Sequence, residues 1–306
     1  MIGRESRPAL LLLLLLLATA AAVGGVPLTP RAWGVQLGLA APLLCAAVAV
    51  MPAMLGGGGG IDVSIGPMIG FVNAILVGVV AVRFGLGMPW VLVPAALLLG
   101  AVLGAVNGAL ATVVRVQPII ATLGTYLVLS GVTLTLLPAP VGGAPAWLRG
   151  LASGWAALPL AALAAAWAGL VRTPFHAHLL ATGSDARAAF SAGVPVGRVR
   201  FLSYVLGGAF AGLAGLMETA LLGSADPAIG PPLTLVAISA AALGGVGLAG
   251  GQGGLVAALL GGADIFLLQA TLTAFDVSPF VLQTAYGVIL VASVCLNAVL
   301  RRGRVA

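Results

Sequence analysis

The chain has 306 residues, of which 61% are hydrophobic and 7% are charged, and its mean hydropathy is +1.20. An ordinary soluble domain carries about 25% charged residues, so this composition excludes a soluble globular protein and predicts an integral membrane protein. The net charge of +6 comes from arginines scattered between apolar runs, a distribution that fits membrane topology rather than nucleic-acid binding.

Apolar stretches recur along the whole chain, and a spanning helix needs about 20 such residues. The candidate spans are roughly 9–26, 33–54, 63–82, 89–112, 117–137, 154–171, 201–222, 233–248, 253–273 and 279–299. We therefore predict an all-α, polytopic transmembrane bundle of about ten spans with broken or re-entrant segments. It is predicted to form a single transmembrane domain over residues 1–306. The first stretch follows Arg4 and Arg7 and is typical of either a signal peptide or a retained anchor.

The sequence GGGGGIDVSIG, residues 56–66, interrupts the apolar run from Trp33 to Val82. As one helix, that run would be about 75 Å long against a hydrocarbon core of about 30 Å, so it must turn back. Glycine weakens helices, and aspartate is costly in lipid. Such a segment at membrane depth is tolerated only where it is buried in protein or lines a cavity. This break is typical of a protein that moves a solute.

Asp62 and Ser64 lie just before the helix that is expected to follow the break. Either side chain can cap that helix, and Pro67 suits its first turn. A helix start at membrane depth presents free donors to a polar solute. The alternative is that Asp62 only caps a tight turn.

A second glycine-rich break, LGGVGLAGGQGG, covers residues 243–254. Two interrupted apolar segments, one in each half of a chain, indicate a transport path. Close packing between helices is the alternative interpretation, because small residues allow it.

Polar side chains also lie inside the predicted spans, where most are expected to bond between helices. Glu218 and Asp264 are costlier to bury and are better candidates for a water-filled cavity. The residues assigned to the solute path are Asp62, Ser64, Asn73, Asn107, Gln117, Thr122 and Glu218. Other polar residues within spans include Thr125, Ser130, Gln269 and Gln283.

The arginines predict the orientation of the chain. With the N terminus inside, three of the 13 fall on the outer side, namely Arg31, Arg83 and Arg149, and the remaining ten fall inside. This distribution satisfies the positive-inside rule and places both termini in the cytoplasm.

The longest non-apolar segment, residues 172–200, is on the inner side in this topology. Residues 184–191 can form two helical turns, with Ser184 or Asp185 as N-cap and Gly193 just beyond the end. A short helix on the cytosolic face is suited to docking a partner.

Several chemistries are excluded by what the sequence lacks. There is no lysine, so a Walker A loop and a lysine Schiff base are impossible. His176 and His178 are two residues apart and cannot share a helix face, so a zinc pair is not expected. No residues show the spacing of a metal site or a catalytic triad. We expect no enzymatic activity, no metal and no cofactor held by this chain.

Several motifs, in order from about residue 50 to the C-terminus, resemble the membrane permease subunit of bacterial ABC importers for sugars, of the ribose-transport type. They are GGIDVSIG at 59–66, Gly104–Leu110 followed by VQPIIATLGT at 116–125, the stretch from Gly183 to Val194, Ala225–Gly230, and Leu243–Gly253. The chain departs from the family pattern at Pro231–Val236, which has no acidic residue, and at Val246–Gly247.

The resemblance implies a multi-pass protein of the bacterial inner membrane, surrounded by lipid, that takes part in monosaccharide import. Two permease subunits, identical or paralogous, would form the path. Separate ATPase subunits would bind the ATP, a periplasmic sugar-binding protein would deliver the solute, and no nucleic acid is expected. Residues 172–200 would be the coupling loop, whose contacts with the ATPases are assigned to Gly183, Ser184, Asp185, Ala188, Ala189 and Gly193.

Three other functions stay open. The related permease class for branched-chain amino acids is one, although the IDVSIG form at residues 61–66 favours sugars. Importers of furanose-like signal molecules are closely similar. An ion-coupled secondary transporter belongs to another class, in which Asp62, Glu218 and Asp264 would form a proton relay.

Overall fold

The computed structural model describes residues 6–22, 30–278, 280–281, 283–288 and 291. Its helices are α1 (Arg7–Ala22), α2 (Pro30–Leu55), α3 (Ile65–Ala74), which continues as a π-helix over Ile75–Arg83, α4 (Pro89–Thr112), α5 (Pro118–Leu136), α6 (Ala146–Gly150), α7 (Ala157–Val171), α8 (Pro174–Ser184), α9 (Ala186–Ser191), α10 (Val196–Leu222), α11 (Gly230–Leu243) and α12 (Leu255–Ala274). Two short strands, β1 (Val141–Gly142) and β2 (Ser224–Ala225), pair antiparallel. Residues 283–288 are also helical.

The all-α, polytopic prediction is confirmed, whereas the count of ten spans is not. Among the described residues, six helices are long and apolar enough to cross a membrane, or seven if α7 and α8, bent by 81°, form one span. Three predicted spans correspond to shorter helices: α1 has 16 residues, α7 has 15 and α11 has 14. The predicted span 279–299 lies largely outside the described residues.

Helix α2 lies at the centre of the bundle, and its residues from Ala40 to Leu55 are buried. Helix α10 packs on α2, α3 and, most extensively, on α4. The α4–α10 crossing is close because glycines meet there: a β-carbon on Gly104 would overlap the Tyr204 carbonyl, and one on Gly208 would overlap the Gly100 carbonyl. Lipid offers no hydrophobic drive for helices to associate, so such backbone contact and van der Waals packing hold the bundle together.

One end of the bundle carries the β1–β2 ribbon, and we call it the ribbon end. Val141 pairs with Ala225 and Gly142 with Ser224, so two loops that are far apart in sequence meet. The Trp147 indole donates to the carbonyl of Gly87 at 2.7 Å, which adds the α3–α4 connection to the same end. The loops next to Arg83 and Arg149, two of the arginines predicted to face outward, therefore lie together.

The segments 56–64, 113–117, 172–195 and 244–254 lie at the opposite end, which we call the junction end. Five arginines belong to this end: Arg115, Arg172, Arg187, Arg198 and Arg200. Arg83 and Arg149 lie at the ribbon end. The structure thus keeps the charge asymmetry that the sequence predicts.

Candidate functional site

The two glycine-rich breaks meet at the C-terminal end of α8, in a contact that we call the glycine junction (residues 56–58, 183–184 and 249–251). The backbone N–H of Gly251 donates to the carbonyl of Leu55 at 3.0 Å, which ties the second break to the end of α2. Gly183 lies between them, against the Leu55 carbonyl and the Gly251 backbone. Both breaks therefore share one contact with the segment predicted to couple to the ATPases.

Only glycine fits two positions of the junction. A β-carbon on Gly183 would overlap the carbonyl oxygen of Leu55 and the nitrogen of Gly251. Gly57 has a φ of +65°, and a β-carbon there would lie 2.8 Å from the Cα of Gly183. Because backbone meets backbone, no flexible side chain is available to absorb a displacement of α8.

Arg200, in the first turns of α10, closes the junction from the side. Its Nε donates to the carbonyl of Gly56 at 3.2 Å, and its guanidinium packs on Gly58. A cavity of about 190 Å³ opens beside it, lined by Arg115, Gln117 and Tyr204 among others. Gln117, one of the predicted path residues, is therefore placed at the junction end.

Helix α9 projects from the junction as the sequence predicts. Asp185 is its N-cap and accepts hydrogen bonds from the backbone N–H groups of Arg187 at 2.8 Å and Ala188 at 3.0 Å. The N–H groups of Ala188 and Arg187 lower the pKa of the exposed Asp185 carboxyl from its ordinary value of 3.8, so it is ionised at neutral pH. Gly193 ends the turn with a φ of +83°. The predicted helix and its cap are confirmed, with Asp185 rather than Ser184 in the capping role.

The surface of α9 presents one residue that no pattern in the sequence singles out. Phe190 is 72% exposed, whereas its neighbour Ala189 is buried. Ala188, on the helix between the cap and Phe190, is exposed. An exposed aromatic on a short capped helix is suited to insertion into a pocket of a partner. Its only sequence signal is a large apolar residue in the least apolar segment of the chain.

A buried polar cluster holds the first break against α4 and α5. The Asp62 carboxylate accepts from the Ser64 backbone N–H at 2.9 Å and from its hydroxyl at 2.7 Å. The Asn107 amide donates to both Asp62 oxygens, at 3.1 and 3.2 Å, and to the Ser64 hydroxyl at 2.8 Å. Thr125 in turn donates to the Asn107 carbonyl oxygen, and Thr122 accepts from the N–H of Val63 at 3.2 Å. All four of the predicted residues here, Asp62, Ser64, Asn107 and Thr122, are fully buried.

The prediction that Asp62 or Ser64 caps the following helix is wrong. Ser64 occupies the N-cap position of α3 but makes no side-chain bond to the first turn. Asp62 instead bonds to Ser64 and Asn107, because the carboxylate is buried and its full set of donors lies outside the helix. The cluster fixes the course of the break rather than exposing a helix end.

The other predicted path residues lie apart from this cluster. Asn73 donates to the Thr219 hydroxyl and the Ser224 carbonyl, both at 2.9 Å, and accepts from the N–H of Asp226 at 2.9 Å, so it fastens β2 at the ribbon end. Glu218 lines a separate groove near the same end. Asp264 is buried in α12, and neither of its oxygens bonds within the described part of the chain.

Comparison with known proteins places this arrangement in context. A family model described as branched-chain amino acid transport system / permease component matches residues 36–296. Ribose import permease protein RbsC of Escherichia coli (strain K12) is 33% identical over 263 residues, which are 79% of this chain and 76% of the relative. RbsC of Haemophilus influenzae is 28% identical over 77% of this chain and 76% of the relative. Autoinducer 2 import system permease protein LsrC of Salmonella choleraesuis is 37% identical over 66% of this chain and 59% of the relative. No solved structure matches the chain.

Proposed function

Because this chain belongs to the family of branched-chain amino acid transport system permease components, we propose that it is the transmembrane permease subunit of an ATP-binding cassette importer that carries a monosaccharide. The observation that carries the proposal is the glycine junction. There the segment that bears α9 is in direct backbone contact with both breaks of the transmembrane bundle.

The junction suggests how energy reaches the path. A separate ATPase subunit binds α9. Phe190 inserts into the surface of the ATPase, and Asp185 stabilises the helix as its N-cap. When two ATPases close on ATP, α9 and α8 move. Gly183 transmits that movement to Gly57 and Gly251, because rigid backbone contacts pass displacement without a compliant side chain. Both breaks then shift together, and the solute path between the two permease subunits changes the side of the membrane to which it opens.

The charge distribution supports an orientation with the junction end in the cytoplasm. Arg115, Arg172, Arg187, Arg198 and Arg200 belong to that end, and the positive-inside rule assigns it to the cytoplasm. In the bacterial inner membrane, the ribbon end then faces the periplasm, where a binding protein delivers the solute. Both chain termini are cytoplasmic in this proposal.

Partner subunits follow from the same proposal. The chain has no lysine and therefore no Walker A loop of its own, so ATP binds to the partner ATPases. A second permease subunit, identical or paralogous, completes the path. Selectivity then rests largely on the binding protein, which agrees with the position of the Asp62 carboxylate, whose two oxygens accept hydrogen bonds from Ser64 and Asn107.

A monosaccharide is the solute that the relatives favour. The RbsC proteins named for ribose import match over more than three quarters of this chain. A furanose-like signal molecule is the second candidate, because LsrC, named for autoinducer 2 import, is 37% identical over a shorter region. A branched-chain amino acid is the solute named in the family description.

Purification of the complex tests the proposed assembly. The tagged chain, extracted in mild detergent from its own organism, is expected to co-purify with an ATPase subunit. The purified complex should then hydrolyse ATP. The Phe190→Ala variant should lose that subunit, whereas Trp155→Ala, which truncates an aromatic of similar exposure at the ribbon end, should retain it. Recovery of the chain with no ATPase in both the unmodified protein and the Trp155→Ala control would refute the proposal.

A further inference from the structure

A groove with a polar wall lies near the ribbon end, far from the buried Asp62 cluster. A cavity of about 570 Å³ is lined by Gln36, Glu218, Gln269 and Tyr286 within otherwise apolar walls. A second cavity of about 560 Å³ shares Gln269 and Tyr286 and adds Gln283 and Ser239. The two cavities adjoin at these shared residues, between α2, α10, α11, α12 and residues 283–287, and we call them together the groove.

The groove lies at membrane depth. Glu218 precedes the end of α10 at Leu222 by four residues, and Gln269 precedes the end of α12 at Ala274 by five. At 1.5 Å per residue, the two side chains lie about 6 and 8 Å inside those helix ends. A carboxylate and several amides at this depth cannot face lipid without a large cost, so they face water, a bound solute or another protein subunit.

These polar groups are free to bind a ligand. Gln269 and Gln283 are exposed to the groove, and Glu218 is half-buried. Within the described residues, no hydrogen bond uses the side chain of Glu218, Gln269 or Gln283. In contrast, Asn73 and Asn107, the amides in the bundle interior, are fully bonded to protein groups.

We infer that this groove is the outer solute site of the path and that it takes a neutral, polyhydroxylated molecule. The inference rests on the proposed function and assigns its substrate contacts. The Glu218 carboxylate accepts hydrogen bonds from hydroxyl groups, and the amides of Gln269 and Gln283 both donate and accept. The Tyr286 ring, half-buried at the centre, offers an apolar face and a hydroxyl. A cavity of several hundred Å³ with mostly apolar walls and a few polar groups is typical of small-molecule sites.

The lining also discriminates between solutes. No arginine or histidine lines the described groove, and Glu218 is its one carboxylate. An amino acid would bring an ammonium group that Glu218 can bind, but also a carboxylate that finds no cationic partner in the described lining. A sugar brings hydroxyl groups alone. The groove therefore favours a sugar over the amino acid named in the family description.

Water access and sugar protection test the groove. Cys45 and Cys295 are first replaced by alanine, and Gln269→Cys is compared with Leu98→Cys, an exposed mid-helix position of α4. In right-side-out membrane vesicles, a membrane-impermeant methanethiosulfonate reagent should label the Gln269→Cys variant and leave the Leu98→Cys variant unlabelled. D-Ribose should slow labelling at least threefold. A Gln269→Cys variant that resists labelling would show that lipid or a second copy fills the groove, which would overturn the inference.

Uptake gives the independent measurement. The Gln269→Leu and Glu218→Gln variants should lower the rate of D-ribose uptake by the complete transporter at least tenfold while ATP hydrolysis is retained. Thr271→Val is the matched control, since Thr271 bonds within α12 to the Leu267 carbonyl at 2.7 Å. Unchanged uptake in both groove variants would overturn the inference and leave the proposed function intact. Absence of ATP-dependent uptake of ribose and of every other monosaccharide tested, by the complete transporter with the unmodified chain, would overturn the proposed function and the sugar assignment with it.

Discussion

Gly251 donates its backbone N–H to the carbonyl of Leu55 at 3.0 Å, and this bond joins two glycine-rich breaks that are almost 200 residues apart in the chain. Gly183 lies against both partners of the bond. The end of α8, the end of α2 and the second break thus form one mechanical unit. In the proposed importer, this unit carries the movement of the docking helix α9 into the membrane.

Substitution of Gly183 tests that unit. Gly183→Val is expected to abolish solute uptake, because any β-carbon there overlaps the Leu55 carbonyl and the Gly251 backbone. ATP hydrolysis by the assembled complex should continue without uptake. Gly197→Ala is the matched control, since a β-carbon at Gly197 meets nothing within 4 Å. Both rates are measured on the same membrane vesicles, and coupled transport by Gly183→Val would contradict the role of the junction.

Removal of the α9 N-cap should weaken binding of the ATPase subunit to α9. Asp185→Ala leaves the N–H groups of Arg187 and Ala188 without their acceptor, so α9 frays and the affinity for the ATPase subunit falls several-fold. Asp185→Ser retains a side-chain oxygen at the cap and should preserve most of the affinity. Titration of the purified chain with the ATPase subunit measures both. Equal affinities of Asp185→Ala and the unmodified chain would argue against docking through α9.

Loss of Asn107 should destabilise the protein before it affects transport. Asn107→Leu removes the amide that donates to both Asp62 oxygens and to the Ser64 hydroxyl. A buried acceptor left unsatisfied costs about 1–3 kcal/mol, and more when charged, so the apparent melting temperature in detergent should fall clearly. Val106→Ala, at an exposed neighbouring position, should leave it nearly unchanged. If Asn107→Leu melts like the unmodified chain but transports nothing, the cluster acts on the solute rather than on the fold.

Loss of Asn73 should loosen the ribbon end. Asn73→Leu removes bonds to Thr219, to the Ser224 carbonyl and to the N–H of Asp226, and leaves buried groups unpaired. We expect faster hydrogen exchange in residues 223–228 than in the unmodified chain. Exchange at 186–191, in α9, serves as the internal reference and should stay the same. Unaltered exchange in 223–228 would show that β1 alone holds this segment.

The sequence predicted those parts of the structure that local signals determine. The predicted span 89–112 coincides with α4, and residues 184–191 correspond to α9 with Asp185 as its cap. Hydrophobic runs, Pro89 at a helix start and a capping aspartate act within a few residues, so one sequence suffices to read them. The exposed Phe190 was missed because a single apolar residue in a polar segment has no periodicity to mark it.

The contacts between distant segments could not be predicted. The glycine junction depends on how α2, α8 and the second break pack, and glycine at Gly57 or Gly183 is compatible with a simple turn as well as with a close contact. For the same reason, Asp62 was assigned to a helix cap, although Asn107 on α4 supplies its partner. The groove needed Gln269 and Tyr286 from separate helices, and spacing along the chain does not bring them together.

Solute uptake with a defined energy source tests the central claim most directly. Right-side-out vesicles that contain the chain and its ATPase are loaded with ATP or with none. The binding protein is added outside, and uptake of labelled D-ribose is measured with and without an imposed proton gradient. The account predicts uptake that requires both internal ATP and the binding protein. The uptake rate should be the same with and without the proton gradient. Concentrative uptake by the chain alone, driven by the proton gradient without ATP, would contradict it.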